Sequence, residues 1–257
     1  IAVYDTVENR IAHVWNRSDS GEASFTDYFY DNDGVLAYTI TGADKADVQA
    51  VSGITVDTVA SLSTAEVDAL LGSGMSISVY DTENGRVDHV WARDNAGDIA
   101  FTDYHYNTEG QLIFTVSGQG RDMVEGIDQN AIQDIENLNA DQIIALLPNG
   151  VNVAVYDLEH NRIDYVWSRD DAGELSFTQY FYDQGGALAY TVTGDTRQEV
   201  SAVEGISVDT AGQLSAQEIE NVLHDGMSLA VYDTEENRVD HTWSVAGDGE
   251  VTFTKYY

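Results

Sequence analysis

Apolar and polar residues alternate with a period of two through most of the first 42 positions of the chain, and that alternation predicts strands. Residues 1–6 (IAVYDT) form a short first strand, 10–17 (RIAHVWNR) a second, 22–30 (EASFTDYFY) a third and 35–41 (VLAYTIT) a fourth. Aromatic and β-branched residues dominate all four, as a half-buried sheet prefers. The breaks are turn-forming: Glu8-Asn9, then "SDSGE" (18–22) and "DNDG" (31–34), the last two with glycine where a positive φ is expected. Gly42 ends the alternation. Apolar spacing then becomes helical, and "LSTAEVDALL" (62–71) carries Ser63 three residues before Glu66, a capping box opening a short amphipathic helix. A weaker helix is expected over 44–51.

The whole pattern recurs. "VYDTVENRIAHVW" from Val3 returns as "VYDTENGRVDHVW" from Val79, "VYDLEHNRIDYVW" from Val155 and "VYDTEENRVDHTW" from Val231. Tyr4, Tyr80, Tyr156 and Tyr232 are each 76 residues apart, and no insertion interrupts the alignment. The capping box also returns, as Ser215 with Glu218 and as Asn139 with Gln142. A fixed period of this size signals a tandem architecture in which each copy is one supersecondary unit. Three copies occupy 1–76, 77–152 and 153–228, and a partial fourth occupies 229–257. The expected fold class is α+β: tandem 76-residue repeats, each a four-stranded antiparallel meander with short covering helices, stacked linearly as beads or as a continuous rod. A closed propeller is not expected, because its blades seldom carry long helical connectors.

Recurrence within the chain separates structural positions from variable ones. Trp15, Trp91, Trp167 and Trp243 share one register, and Phe25, Phe101, Phe177 and Phe253 another; both read as repeat core. Tyr28, Tyr104, Tyr180 and Tyr256 are filled in the same way and read as core or copy-to-copy packing, with Tyr30, Tyr106 and Tyr182 left for the opposite face. His13, His89 and His241 share a register in which the third copy has Tyr165, which argues for aromatic packing over catalysis or metal binding. The fourth copy stops inside a predicted strand, "VTFTKYY", so the chain reads as a window on a longer array. Phe253, Tyr256 and Tyr257 then form an aromatic assembly edge, open to a following segment or to a neighbouring copy added head to tail.

Charge narrows the partners. The chain has 45 acidic and 11 basic residues, a formal net charge of -34. Such a surface repels nucleic acid and anionic lipid, attracts cations, and stays soluble at high ionic strength. No apolar run approaches the roughly 20 residues that cross a bilayer, so membrane insertion is not expected. There is no cysteine, which excludes disulfides and thiolate metal sites and leaves the compartment open.

The basic residues fall in fixed registers: Arg10, Arg86, Arg162 and Arg238; Arg17, Arg93 and Arg169; and Lys45, Arg121 and Arg197. In so acidic a chain the two arginine registers read as structural ion pairs with fixed carboxylates, such as Asp5, Asp81, Asp157 and Asp233. Only two acidic registers are filled in every copy, those four aspartates and the turn acids Glu22, Asp98, Glu174 and Glu250. These eight are the candidate metal ligands. Calcium needs six to eight oxygens, however, and no complete calcium-loop pattern is present, so no cofactor is expected and Ca²⁺ remains the alternative. No nucleophile elbow, phosphate loop or zinc motif is present either, and an enzyme is not expected.

The block "YFYDNDGVLAYTITG" (28–42) and its equivalents resemble the tyrosine–aspartate hairpin repeats of large secreted bacterial proteins. "LSTAEVDALLGSGMSISVYD" (62–81) is similar to helix-to-strand segments of giant bacterial adhesins. The resemblance implies a place outside the bacterial cell or on its surface, and a scaffold, adhesion or envelope role. It carries over no functional residues. The expectation is a structural extracellular repeat protein forming a fibre, matrix or adhesin stalk from copies of itself. The alternative is a multivalent module for surface glycans or divalent cations.

Overall fold

Trp15, Phe25 and Gly42 lie side by side on three neighbouring strands, and the helices that follow pack on that side of the sheet. The computed structural model describes residues 1–18 and 21–257. The fold is mostly β, an antiparallel meander with short helices. The chain divides into two compact units, Ile1–Ile127 and Asp128–Tyr257. That boundary falls inside a helical stretch and at none of the sequence-repeat limits.

The first unit contains β1 (Ala2–Asp5), β2 (Arg10–Arg17), β3 (Ala23–Tyr30) and β4 (Leu36–Gly42), then α1 (Lys45–Ala50), α2 (Val56–Val59) and α3 (Thr64–Leu70). It continues with β5 (Ser76–Asp81), β6 (Arg86–Arg93), β7 (Ile99–Tyr106), β8 (Leu112–Gly118) and α4 (Arg121–Glu125). Each strand pairs antiparallel with the next. The pairing includes β4 with β5, joined by all three helices, where Tyr38 faces Val79 and Ile40 faces Ile77. The second unit contains α5 (Gln129–Gln133), a 3₁₀ turn (Ile135–Asn137), α6 (Ala140–Leu146), β9 (Val151–Asp157), β10 (Arg162–Arg169), β11 (Leu175–Tyr182) and β12 (Leu188–Gly194). It ends with α7 (Arg197–Ser201), α8 (Val208–Ala211), α9 (Ala216–Val222), β13 (Ser228–Asp233), β14 (Arg238–Val245) and β15 (Val251–Lys255). Its strands also pair in order, and β12 runs directly beside β13.

Helices of four to seven residues are too short to hold themselves in water. Caps and burial hold them here. The Ser63 hydroxyl accepts from the Glu66 N–H, and the Glu66 carboxylate accepts from the Ser63 N–H at 2.8 Å; Ser215–Glu218 and Asn139–Gln142 do the same. Boxes at Thr55–Thr58 and Ser207–Thr210 start α2 and α8, elements the sequence pattern does not announce because threonine stands where glutamate is usual. Each helix then buries one side of itself. Val48, Val59, Val67 and Met75 close over Phe25, Ile40, Ile77 and Trp91, and each fully buried aliphatic side chain contributes about 1.5–3 kcal/mol. Contact is close: a Cβ on Gly42 would lie 3.0 Å from Val48 Cγ2 and 3.2 Å from Met75 Cγ. Gly194 meets Val200 and Met227 in the same way.

Among the described residues the opposite face carries no helix. In the first unit Val14, Thr26, Thr41, Ser76, Ala92 and Ala100 form one cross-strand row on it. Tyr28, Thr39, Ser78, Val90, Thr102 and Ser117 form the next. In the second unit the corresponding rows are Val166, Thr178, Thr193, Ser228, Ser244 and Thr252, and Tyr180, Thr191, Ala230, Thr242 and Thr254. Tyr28 and Tyr180 therefore stand on this face and not in the helix-covered core, which leaves copy-to-copy packing of the two places recurrence had suggested.

Among the described residues seven strands carry an extra residue, and on β4, β12 and β8 it is Ala37, Ala189 and Ile113. Val79 faces His89 and Tyr80 faces Val87, which leaves Asp88 as a bulge; Ala12, Asp164 and Asp240 are bulged likewise. The first of the glycine turns, 18–22, includes Asp19 and Ser20, which lie outside the described residues. Among the described residues no helix is long and apolar enough to cross a membrane.

Candidate functional site

The aspartate of each "VYD" is consumed by its own turn. Asp5 Oδ1 accepts from the N–H of Val7 at 2.8 Å and of Glu8 at 3.3 Å. Asp81 accepts from the N–H of Glu83 and Asn84 and from Asn84 Nδ2 at 2.7 Å. Asp157 accepts from the Glu159 N–H and pairs with His160 Nδ1 at 2.8 Å, and Asp233 accepts from Glu235 and Glu236. These bonds hold the carboxyls of Asp5, Asp81 and Asp157 below the usual range; for Asp5 the N–H of Val7 is the largest cause, for Asp81 the Asn84 amide, for Asp157 the His160 ring. The turn then needs a positive φ, supplied by Asn9, Gly85, Asn161 and Asn237 at φ of 50–67°.

Glu22, Asp98, Glu174 and Glu250 stand in the next turn, with exposed side chains. Their backbone N–H groups donate to Ser18, Asp94, Asp170 and Asp248. The two acidic registers thus lie at opposite ends of a strand such as β6, about 23 Å apart at ~3.3 Å per residue. One ion cannot bridge them. Among the described residues no three His, Asp or Glu side chains are placed to hold a metal ion.

The arginines divide by register. Arg86 reaches Asp81 at 3.5 Å and Arg162 reaches Asp157 at 3.7 Å, while Arg238 pairs with Glu236 at 2.6 Å instead of Asp233. Arg10, Arg86 and Arg162 also lie over the rings of Tyr30, Tyr106 and Tyr182 at 4.5, 4.4 and 4.1 Å. The second register is spent mainly on main-chain carbonyls. Arg17 Nε donates to Gly21. Arg93 donates to Gly97, Asp68 and Leu71, with the Asp68 carboxylate at 3.2 Å, and Arg169 donates to Gly173, Ile144 and Leu147. The reason is local: the last carbonyls of α3 and α6 have no partner within their own helices, and a cation beside a helix C-terminus is favoured. In the third register Arg121 and Arg197 reach back 61 residues to the carbonyls of Ala60 and Glu136.

Histidines sit against the bulges. His89 is buried, its ring 5.2 Å from that of Phe101, and its Nδ1 meets Asp88 Oδ2 at 2.8 Å. That bond lowers the Asp88 carboxyl below its usual value. His241 pairs with Asp240 at 2.6 Å and lies 5.4 Å from Phe253. In the third copy Tyr165 takes the place of the histidine over Phe177, and burial pushes its phenol up to about 12. Asp164 there accepts from Gln179 at 2.8 Å, yet burial still raises its carboxyl.

The tryptophan and phenylalanine registers sit next to one another in space. Trp91–Phe101 and Trp167–Phe177 are tilted ring pairs with centroids 4.7 and 4.8 Å apart, and all four residues are buried. Trp15 is half-buried against Phe25, and Trp243 lies on a Phe253 that is 48% exposed. Tyr256 and Tyr257 are exposed as well. An open cleft of about 590 Å³ lies in the second unit between Glu136, Asn139, Asp141 and Arg197, with Trp167 at its floor. Neither nucleophile–base pairing nor a ring of oxygen ligands is assembled there. What the arrangement does chemically is mechanical: it ties turns, helix ends and strands to one another. No family model matches the chain, and no curated protein matches it in sequence.

Proposed function

We propose that the chain is a structural, non-enzymatic repeat protein that lengthens an extracellular bacterial fibre, matrix or adhesin stalk. The observation that carries this reading is the joint between β4 and β5. The last strand of one sequence copy and the first strand of the next form a four-pair ladder, from Tyr38 opposite Val79 to Thr41 opposite Ser76. β12 and β13 repeat it from Tyr190 opposite Val231 to Thr193 opposite Ser228. A joint made of backbone hydrogen bonds has no hinge, so each added copy extends the sheet. The 76-residue copies then stack linearly, head to tail, and copy number sets length. The acidic surface keeps such an array dispersed in salt and surrounds it with cations.

Chains of two, three, four and five whole copies, compared by small-angle X-ray scattering, test the reading. The maximum dimension is expected to rise by a constant increment per copy. A dimension that stops growing after a few copies, as a ring would give, overturns it.

A further inference from the structure

We infer that the helix-free face is a binding surface for an extended, neutral polysaccharide, held by tyrosines that recur across the strands. The inference stands independently of the scaffold reading.

Charge is the first argument. The chain carries 45 acidic and 11 basic residues, yet none of them falls in the cross-strand rows of this face. The nearest charges, Arg10 and Arg86, lie at its margin over Tyr30 and Tyr106. Sheet faces open to water ordinarily carry lysine or glutamate, which also discourage association. A surface that omits both suits a ligand without charge. The net charge of -34 selects further, since anionic polymers and a second copy of the chain are repelled at a distance and a neutral sugar chain is not.

Geometry is the second argument. Tyr28 on β3 and Tyr80 on β5 stand in neighbouring rows of this face, as do Tyr180 on β11 and Tyr232 on β13. Alternate strands are about 10 Å apart, and Tyr80 and Tyr232 stand two residues beyond Ser78 and Ala230, which share the rows of Tyr28 and Tyr180, so each pair is set diagonally across that step. Thr39, directly opposite Tyr28, is only 5% exposed although it points away from the helices, and Thr191, directly opposite Tyr180, is 6% exposed. Tyr28, Tyr80, Tyr180 and Tyr232 on the same face are half-buried. A pyranose stacks its C–H face on a tyrosine ring and offers its hydroxyls to half-buried residues of the same rows such as Ser76, Ser78 and Thr102. In an extended β-1,4-linked chain alternate sugars are flipped, so like faces recur at every second sugar, close to the two-strand step. Half-buried tyrosines lose little freedom on binding, which favours affinity.

The probes are microcrystalline cellulose, β-chitin and soluble cellohexaose, with alginate as the anionic comparison. The full chain is expected to be retained on cellulose or chitin, to bind cellohexaose by calorimetry, and to ignore alginate. Replacing Tyr28, Tyr80, Tyr180 and Tyr232 by alanine should weaken binding by about tenfold or more, whereas phenylalanine at the same sites should retain it. Thr26→Glu with Ser78→Glu keeps the rings and adds charge, and should weaken binding in the first unit alone. Circular dichroism establishes that each variant is folded. No retention on either neutral polysaccharide, preference for alginate, or unchanged binding by the folded alanine variant overturns the proposal. So does sedimentation showing self-association that the glutamates abolish, which would give the face to a second copy. The length-per-copy experiment is untouched by any of these results.

Discussion

Arg93 donates from Nη1 to the main-chain carbonyl of Leu71, 22 residues earlier, at 2.9 Å. Leu71 is the residue on which α3 ends, and the same guanidinium takes the Asp68 carbonyl and the Gly97 carbonyl of the following turn. Arg169 repeats the set on Leu147, Ile144 and Gly173. One side chain thus closes a helix C-terminus and fixes it to the end of a strand. Hydrogen bonds to a charged group contribute about 1.5–3 kcal/mol, so Arg93→Met should lower stability by about 2 kcal/mol in urea melts. Arg17→Met, which among the described residues removes an exposed bond to Gly21 and no helix carbonyl, should cost under about 0.5 kcal/mol. Equal losses at the two sites would show that the helix carbonyls contribute nothing.

The "VYD" turn gives a cleaner comparison. Gly85 has φ of +67° with nothing within 4 Å of where a Cβ would lie, so only backbone strain opposes a side chain there. Gly85→Ala should destabilise by about 1–2 kcal/mol, and Gly85→Asn, the residue at the other three equivalent positions, by much less. Thermal melts of the two variants decide it; an alanine variant as stable as the parent would mean the turn has another conformation open to it.

Acid should act in two opposed ways. Protonating surface carboxylates relieves like-charge repulsion, so the melting temperature should rise as pH falls from 7 toward 5. Asp81, Asp88, Asp157 and Asp240 have folded pKa values below their unfolded ones, so their contribution is complete above about pH 4 and is lost as pH falls through the folded values. Stability should therefore drop below about pH 4. Asp164 has the opposite sign, since burial raises its carboxyl and its charged form costs stability at neutral pH. Asp164→Asn should raise the melting temperature at pH 7 and change nothing at pH values where Asp164 is already protonated. A lower melting temperature at pH 7 would show that the Gln179 bond outweighs burial.

Salt should stabilise. With 34 excess negative charges, screening at about 1 M, where the Debye length is near 3 Å, should raise the melting temperature steadily. Calcium chloride at matched ionic strength should follow the same curve. Saturation of a calcium effect at micromolar concentration would instead reveal a specific site, against the separation of the two acidic registers.

Strand positions were legible because half-buried antiparallel strands alternate visibly, as in "ASFTDYFY", and α3 was legible because Ser63 and Glu66 are a strong local signal. The helix α2 was not, since four residues carry no period and Thr58 does its capping through a hydroxyl. The two acidic registers were visible as recurrent residues, but recurrence cannot distinguish an aspartate that holds a turn from one that holds an ion. Only the bonds from Glu83 and Asn84 to Asp81 do that. The arginine registers show the same limit: Arg93 and Arg86 look alike in sequence, and one serves carbonyls while the other serves Asp81 and Tyr106.

By itself the amino-acid order determined the strands, the capped helix, the period of 76 and the residues that recur with it, because these depend on neighbours a few positions apart. Tertiary structure decided which face each residue occupies. At Asp88 one extra residue breaks the alternation of β6, so Val87 and His89 point to opposite faces although they are two apart. The bulge arises from pairing with β5, and nothing in "RVDHVWAR" announces it. For the same reason Tyr28 could be mistaken for core: period two says that it opposes Phe29, and only the packing of α1, α2 and α3 says which of those two sides is covered.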